Sequence, residues 1–257
     1  MLYILGLGLR GVYSLSLQEK DILSRCEHIF FETYTSVSPS QTIDQLSSML
    51  NREVKRAGRE EVENPVALLS LASGNDVCLL VTGDPLSATT HNQLRVDAHM
   101  AGINVEVIEN ASILSVIPGK LGLFPYRMGP PVSLPFPEDN FLPRSVCQKI
   151  KFNQDSGFHT IVLLDLREGR TMYSFEAVDV LLRMEERYSI GAISRNSMIC
   201  AAVKASQDGE KIIWDSSENI LDLKLEESPV ALVIPSSLNH NEEYFLSRFS
   251  KKCDYFR

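Results

Sequence analysis

Apolar positions in the first part of the chain follow two alternating rhythms. Leu2 to Leu5, His28 to Phe31, Val77 to Val81 and Val105 to Ile108 are short, nearly unbroken apolar runs, as expected of strands buried on both faces. Between them, apolar positions recur every three or four residues. The capping signal Ser16-x-x-Glu19 predicts a helix to about Cys26, and Ile43, Leu46 and Leu50 mark a second. A third covers Val66 to Leu71, and a fourth runs from Thr90 to Ala101, stopped by Gly102. A helix over Ser112 to Leu121 should break around Pro118-Gly119. This alternation predicts an α/β fold with a mostly parallel sheet and helices on both faces.

The rhythm stops at Pro125, Pro130, Pro131, Pro135, Pro137 and Pro143. Such a run cannot form a helix or a central strand. It predicts a connection over 125–143, with one edge strand near Pro131 to Pro135, between an N-terminal α/β domain (1–124) and a C-terminal α/β domain (144–257). Beyond it come a helix from about Pro143 to Asn153, a strand over Thr160 to Leu166 and an amphipathic helix over Phe175 to Met184. Ser197 to Ala205, Lys211 to Trp214, Ile220 to Leu225 and Val230 to Ile234 then predict closely spaced strands that pair antiparallel, making the second sheet mixed. Glu242 to Phe249 closes the chain as a helix.

Composition narrows the setting. With 257 residues, 44% hydrophobic and 23% charged, the chain can bury one large core or two modest ones. No apolar run approaches the roughly 20 residues that span a bilayer, and Met1 to Leu5 lacks the basic flank of a signal peptide. The five cysteines (Cys26, Cys78, Cys147, Cys200, Cys253) show no metal or redox spacing and fit reduced thiols in a cytoplasmic protein. A net charge of −8 argues against a nucleic-acid partner.

Candidate chemistry concentrates where strands should end. Thr82 to Leu94 follows the buried run Val77 to Val81 and reads Thr-Gly-Asp-Pro-Leu-Ser-Ala-Thr-Thr-His-Asn-Gln-Leu. Open α/β sheets place ligands at the carboxyl ends of their strands. There Gly83 frees the backbone, Asp84 supplies a carboxylate, Pro85 stiffens the turn, and Ser87, Thr89 and Thr90 offer hydroxyls. Gly6-Leu7-Gly8-Leu9-Arg10-Gly11 also matches the G-x-G-x-x-G dinucleotide pattern literally. That reading, an NAD-dependent oxidoreductase, requires the glycine loop itself to open a helix near Gly8, whereas the helix signal here starts at Ser16.

Glu32-Thr33-Tyr34-Thr35-Ser36, Asn110-Ala111-Ser112-Ile113, Leu163-Leu164-Asp165 and Pro229-Val230-Ala231 also fall at predicted strand ends or starts. With Met1 to Leu9, Arg59-Glu60-Glu61-Val62-Glu63, Gly83 to His91, Val107 to Ile113 and Gly157 to Asp165, they resemble the diphthine synthases of the tetrapyrrole methylase superfamily. The resemblance runs almost continuously from Met1 to about Asp165. Beyond that, Val203-Lys204-Ala205-Ser206 stands where relatives tend to show Ala-Arg-Val-Gly, and Ala231 where many carry a histidine.

The resemblance implies a tetrapyrrole-methylase-like fold of two α/β domains with the cofactor in the cleft between them, usually in a homodimer. It implies an S-adenosyl-L-methionine-dependent methyltransferase that forms S-adenosyl-L-homocysteine. The implied substrate is elongation factor 2, at a histidine carrying a 3-amino-3-carboxypropyl group, on the route to diphthamide; eukaryotic members are also held to esterify the carboxylate. The implied cofactor contacts are Leu9, Asp84, Ser87, Ser112, Ile113, Leu163, Lys204 and Val230, with no metal. The sulfonium is already activated, so the protein has to position reactants and exclude water. Asp165, Glu32 and Tyr34 are candidates for a base that assists the amine, and no catalytic residue is assigned among them. The alternatives are another methylase of this type, acting on a porphyrin or on RNA, the nicotinamide enzyme, or a non-catalytic module that holds a translation factor.

Overall fold

The computed structural model describes residues 1–39, 41–138, 141–167 and 170–249. Positions 139–140 of the expected connection lie outside the described residues, as do the last eight of the expected second domain, Cys253 among them. The chain divides into two compact units, Met1–Ile113 and a second from Leu114 onward.

The first unit runs β1 (Leu2–Gly6), α1 (Leu17–Arg25), β2 (His28–Glu32), α2 (Thr42–Leu50), β3 (Lys55–Ala57), α3 (Arg59–Glu63), α4 (Val66–Ala72), β4 (Val77–Val81), α5 (His91–Met100) and β5 (Val105–Ile108). Its sheet has the order β3-β2-β4-β1-β5, with every neighbouring pair parallel. The two apolar runs at its centre explain why it is covered on both sides. Tyr3, Leu5, Cys78 and Leu80 pack with Ile22, Leu23 and Leu46 of α1 and α2. Leu2, Ile4, Val77, Leu79 and Val81 pack with Leu68, Leu94 and Ala98 of α4 and α5. Side chains alternate faces along a strand, so a slip of one residue would exchange these two cores. The connection leaving β1 crosses one face toward β2, and the connection leaving β4 crosses the other toward β5. The neighbours β1 and β4 therefore form a topological switch point, with a crevice at their carboxyl ends.

α6 (Ile113–Leu121) passes through Pro118 instead of breaking there. Pro118 is buried with Ile117 and Leu121, and the stop comes at Gly122 (φ +65), where the Leu123 amide donates to the Pro118 carbonyl at 2.9 Å. Burial of that apolar face offsets the missing donor.

The second unit continues with β6 (Val132–Leu134), α7 (Arg144–Asp155), β7 (Thr160–Leu164), the two-residue strands β8 (Leu166–Arg167) and β9 (Arg170–Thr171), α8 (Ser174–Tyr188), β10 (Met198–Val203), β11 (Lys211–Ser216), α9 (Ser217–Leu223), β12 (Val230–Ile234) and α10 (His240–Ser247). Its sheet, β11-β10-β12-β7-β6, is antiparallel except for the edge pair β6–β7. The expected edge strand in the proline run is β6. The strand expected over Ile220 to Leu225 is instead α9: the Ser216 side chain accepts from the Asn219 amide, Glu218 sits in the first turn, and Ile220 is buried against the core. Cys26, Cys78, Cys147 and Cys200 are buried free thiols. Among the described residues, no helix is long and apolar enough to cross a membrane.

A buried polar knot holds α10 against the start of β7. His159 and Glu242 are fully buried. The Ser236 amide donates to His159 Nδ1 at 3.1 Å, so the proton sits on Nε2, which donates to Glu242 Oε1 at 3.1 Å. The other carboxylate oxygen accepts from Arg127 and, at 3.0 Å, from the Asn239 amide. Burial lowers the His159 pKa below its ordinary value, the pull of Glu242 notwithstanding. Burial alone would raise Glu242, but hydrogen bonds from the Asn239 amide, His159 and the Phe124 amide hold it below the usual carboxylate range. Both groups bind protons more readily in the unfolded chain, so stability is full above about pH 6.5, the unfolded histidine value, and falls as pH drops below it. The melting temperature should therefore decline from pH 7.5 to pH 5, and His159→Gln should flatten the upper part of that decline. Equal pH slopes for both proteins in thermal melts would show that the knot does not set acid sensitivity.

Candidate active site

The loops after β1 and β4 of the first unit are stitched together by their main chains. The Leu7 amide donates to the Val81 carbonyl at 2.7 Å. One step further the Gly8 amide donates to the Gly83 carbonyl at 3.0 Å, and the Gly83 amide donates back to the Gly8 carbonyl at 2.8 Å. Both glycines have positive φ, +60 and +80, which other residues adopt at a cost. The approach also requires the small residue: a Cβ on Gly6 would lie 2.7 Å from the Gly83 carbonyl oxygen, and one on Gly8 would lie 2.7 Å from Ser14 Cβ. Over Gly83 there is room instead, since a Cβ there would meet only the Ala111 carbonyl at 3.9 Å and Leu9 Cδ2 at 4.0 Å.

The loop after β5 joins through side chains. Asn110 Nδ2 donates to the Gly6 carbonyl at 2.9 Å, with the Ser14 carbonyl and Glu19 Oε1 each at 3.2 Å. Glu19 is fully buried and also accepts from the Ser16 amide at 2.6 Å, completing the capping box of α1. Asp84 works similarly. Its Oδ1 accepts from the Leu86 amide at 3.0 Å and the Ser87 hydroxyl at 2.8 Å, and its Oδ2 faces the Asn110 amide at 3.4 Å.

Leu9, Asp84, Ser87 and the segment through Ser112 to Ile113 are thus neighbours at the carboxyl ends of β1, β4 and β5. In the second unit Leu163, Lys204 and Val230 share one end of the sheet: Leu163 pairs with Ala231, Val230 pairs with Val203, and the Lys204 amide donates to the Pro229 carbonyl at 2.7 Å. The Lys204 ammonium is engaged with Glu227 at 3.2 Å, leaving its main chain, at φ +50, as what it can offer.

None of the candidate bases stands free. Glu32 is buried, and its carboxylate accepts from the Tyr34 amide, the Thr35 hydroxyl and, at 2.7 Å, the Thr35 amide. It builds the turn that presents Tyr34. Burial raises the Tyr34 pKa, so the phenol stays protonated at neutral pH. Asp165 Oδ2 accepts from the Phe136 amide at 2.9 Å and lies 3.4 Å from Arg167 Nε. The glycine run does not open a dinucleotide helix. A single 3-10 turn, Gly11–Ser14, follows it, and α1 begins only at Leu17. The sequence placed Asn110 in a candidate segment at a strand end but gave it no role of its own, whereas the structure makes it the hub of the site. The polar side chain directly after the β5 run, facing a glycine-rich β1 end, was the available signal.

Residues 1–214 match the pattern of the tetrapyrrole (corrin/porphyrin) methylases. A curated diphthine synthase from Thermoplasma acidophilum is 41% identical over 251 residues, covering 98% of this chain and 96% of that protein. The chain belongs to the diphthine synthases of the tetrapyrrole methylase family. A diphthine synthase from Methanothermobacter thermautotrophicus is 33% identical over 96% of this chain and 94% of its own. A crystal structure from Entamoeba histolytica, assigned as a diphthine synthase, superposes with a TM-score of 0.87 at 30% identity, over 98% of both chains. The family makes this chain a methyltransferase of diphthamide biosynthesis. Its strand-end loops, rather than a row of reactive side chains, are what a positioning enzyme requires.

Asn110→Ala should leave the Gly6 and Ser14 carbonyls and the buried Glu19 carboxylate short of a donor, lowering stability by about 1–3 kcal/mol. Urea denaturation at neutral pH measures this, and an unchanged midpoint would remove Asn110 as the hub.

Proposed function

We propose that this diphthine synthase transfers methyl groups from S-adenosyl-L-methionine to the amino group of the 3-amino-3-carboxypropyl histidine of elongation factor 2. The single observation that carries the reading is the space over Gly83, bounded by Leu9 and Ala111, at a topological switch point where Gly83 is paired with Gly8 and followed by Asp84. The residues fit an adenosyl sulfonium ligand. Leu9 and Ile113 can wall a flat apolar group, and the space over Gly83 lets a ligand come close to the loops. Asp84 and Ser87, already paired with each other, give the loop a fixed acceptor. From the second unit the proposal takes Leu163, Lys204 and Val230, largely through their main chains.

When bound, the cofactor supplies an already activated methyl group for in-line displacement. The chain's own part is placement and desolvation. The accepting amine, which would ordinarily titrate near pH 10 like lysine, must be neutral when it attacks, and burial favours its neutral form. Engagement of Glu32 and Asp165 by their own loops and the protonated state of Tyr34 fit a mechanism in which desolvation carries that step. The net charge of −8 and the free thiols fit a cytoplasmic enzyme acting on a protein rather than on nucleic acid.

Mass spectrometry of elongation factor 2 carrying the precursor histidine, after incubation with enzyme and cofactor, should show whole methyl increments confined to that residue; none would end the reading. In calorimetry, S-adenosyl-L-homocysteine should bind the wild type, and Asp84→Ala should bind it about one to two orders of magnitude more weakly, the equivalent of roughly 1.5–3 kcal/mol for a lost charge-assisted hydrogen bond. Binding of NADH in its place would restore the oxidoreductase alternative.

The enzyme is further proposed to work as a homodimer. Within the proline-rich stretch, Leu123, Val132, Leu134 and Phe136 are buried in their own unit, but Tyr126 and Phe141 remain 74% and 67% exposed. Large exposed aromatics of this kind mark interfaces when they join into a patch, and two-fold pairing is the commonest way to cover one. Light scattering at micromolar concentration should give about twice 28.8 kDa, and a mass of one chain would refute the dimer.

A further inference from the structure

The turn after β2 carries a side chain that the cofactor reading does not use. Tyr34 is half-buried, and three contacts fix its orientation. Its amide donates to Glu32. Its hydroxyl lies 3.5 Å from Thr90 Oγ1, on the same loop as Asp84. Its ring meets His91 edge-on, with centroids 6.4 Å apart and planes at 83°. His91 is itself fully buried and pinned through Nδ1 to the Pro85 carbonyl at 2.8 Å. The aromatic ring is therefore aimed by the candidate site's own loops. What lies over its free face is a cation: the Arg59 guanidinium carbon, 4.9 Å from the ring centroid.

Arg59 is held there weakly. Its side chain is 61% exposed, and its one charge partner among the described contacts is Glu63, an i,i+4 pair at 3.0 Å that is also exposed. Such pairs contribute little. In the first unit the other arginine stacked on a ring, Arg25 over Tyr3, lies at the opposite end of β1 from the glycine loop. Among the described residues, only the Tyr34 pair joins an oriented ring, a displaceable cation and the strand-end loops.

We propose that the face of the Tyr34 ring now under Arg59 is the subsite for the substrate's nitrogen in its ammonium form, that Arg59 occupies this face until the substrate displaces it, and that the nitrogen gives up its proton to solvent before each attack. This rests on the methyltransferase reading above. Its chemical advantage is specific to repeated methylation. A carboxylate that accepts N–H hydrogen bonds loses a partner each time a hydrogen is replaced by methyl. A ring face attracts the cation through its quadrupole, whatever the nitrogen carries, and holds a poorly hydrated alkylated ammonium better than a hydrated one. An aromatic face can therefore retain the intermediate between successive transfers.

The experiment compares the wild type with Tyr34→Leu, Tyr34→Phe and Arg59→Ala, each first shown by thermal melting to be folded. Elongation factor 2 carrying the precursor histidine is the substrate, and mass spectrometry reads the distribution of methylation states. Tyr34→Leu should raise KM for the protein substrate about tenfold, leave the affinity for S-adenosyl-L-homocysteine within twofold, and accumulate the lowest methylation state. Tyr34→Phe should restore the higher states that Tyr34→Leu lacks. Arg59→Ala should lower KM, because the competing cation is gone. Tetramethylammonium should inhibit the wild type competitively against the protein substrate and inhibit Tyr34→Leu at least fivefold more weakly. A Tyr34→Leu enzyme with the wild-type KM and product distribution, or a Tyr34→Phe enzyme as impaired as Tyr34→Leu, would overturn the subsite. Wild-type enzyme that transfers no methyl would refute the methyltransferase reading instead. In that case, a titration of tetramethylammonium followed through the Tyr34 ring resonances would still decide the subsite, with no shift up to high millimolar concentration counting against it.

Discussion

Main-chain groups that run out of sheet partners at the ends of β1 and β4 are the constraint on which the first unit depends. A parallel strand that stops leaves donors and acceptors that must be paired or wetted. Here Gly8 and Gly83 pair with each other across the two loops, and the Asn110 side chain takes the Gly6 and Ser14 carbonyls. That solution dictates glycine at positions 6 and 8 by lack of space, and at 8 and 83 by backbone angle. It also brings the loops after β1, β4 and β5 to one place. The open backbone over Gly83, the side chain of Leu9 and the carboxylate of Asp84 share a location as a consequence of satisfied hydrogen bonds.

The same principle explains why the acids at strand ends are poor candidates for proton transfer. Glu32 and Asp165 each accept from amides or hydroxyls near them and fix loops rather than present lone pairs to a ligand. Carboxylates used in this way lock loop geometry, and locked geometry is what an in-line alkyl transfer draws on. An enzyme whose reactive group arrives preactivated can place its charged residues in the scaffold and leave main chain and apolar walls at the ligand.

How much of this was legible in the sequence follows from how local each cause is. The parallel first sheet was readable because β1 and β4 are apolar on both faces, a pattern that only a sandwiched sheet sustains. Ser16 and Glu19 announced α1 because a capping box is complete within four residues. Ile220 to Leu225 misled, since a seven-residue helix buries too few positions to declare its period and the deciding feature was the Ser216 cap. At the site, the loop 82–90 stood out through composition. The role of Asn110 did not, because its partners at positions 6, 14 and 19 lie about 90 to 100 residues away and only the sheet order makes them neighbours. Arg59 over Tyr34 was hidden for a similar reason: β3, too short and charged to read as a strand, sets where α3 begins.

The second unit separates its buried knot from the proposed cofactor contacts along a single strand. His159, immediately before β7, anchors the buried knot with Glu242 and Arg127, whereas Leu163, near the other end, lies at the same end of the sheet as Val230 and Lys204. Four residues of extended chain place these two ends about 13 Å apart. The antiparallel pairing of β12 with both β7 and β10 carries the register from one end to the other, so the knot fixes where the ligand-end residues stand without touching them. A buried charged cluster can therefore sit at one end of a sheet and set the register of the other. The second unit can thus accept different residues at positions 203–206 and 231 while its register is held from the opposite end.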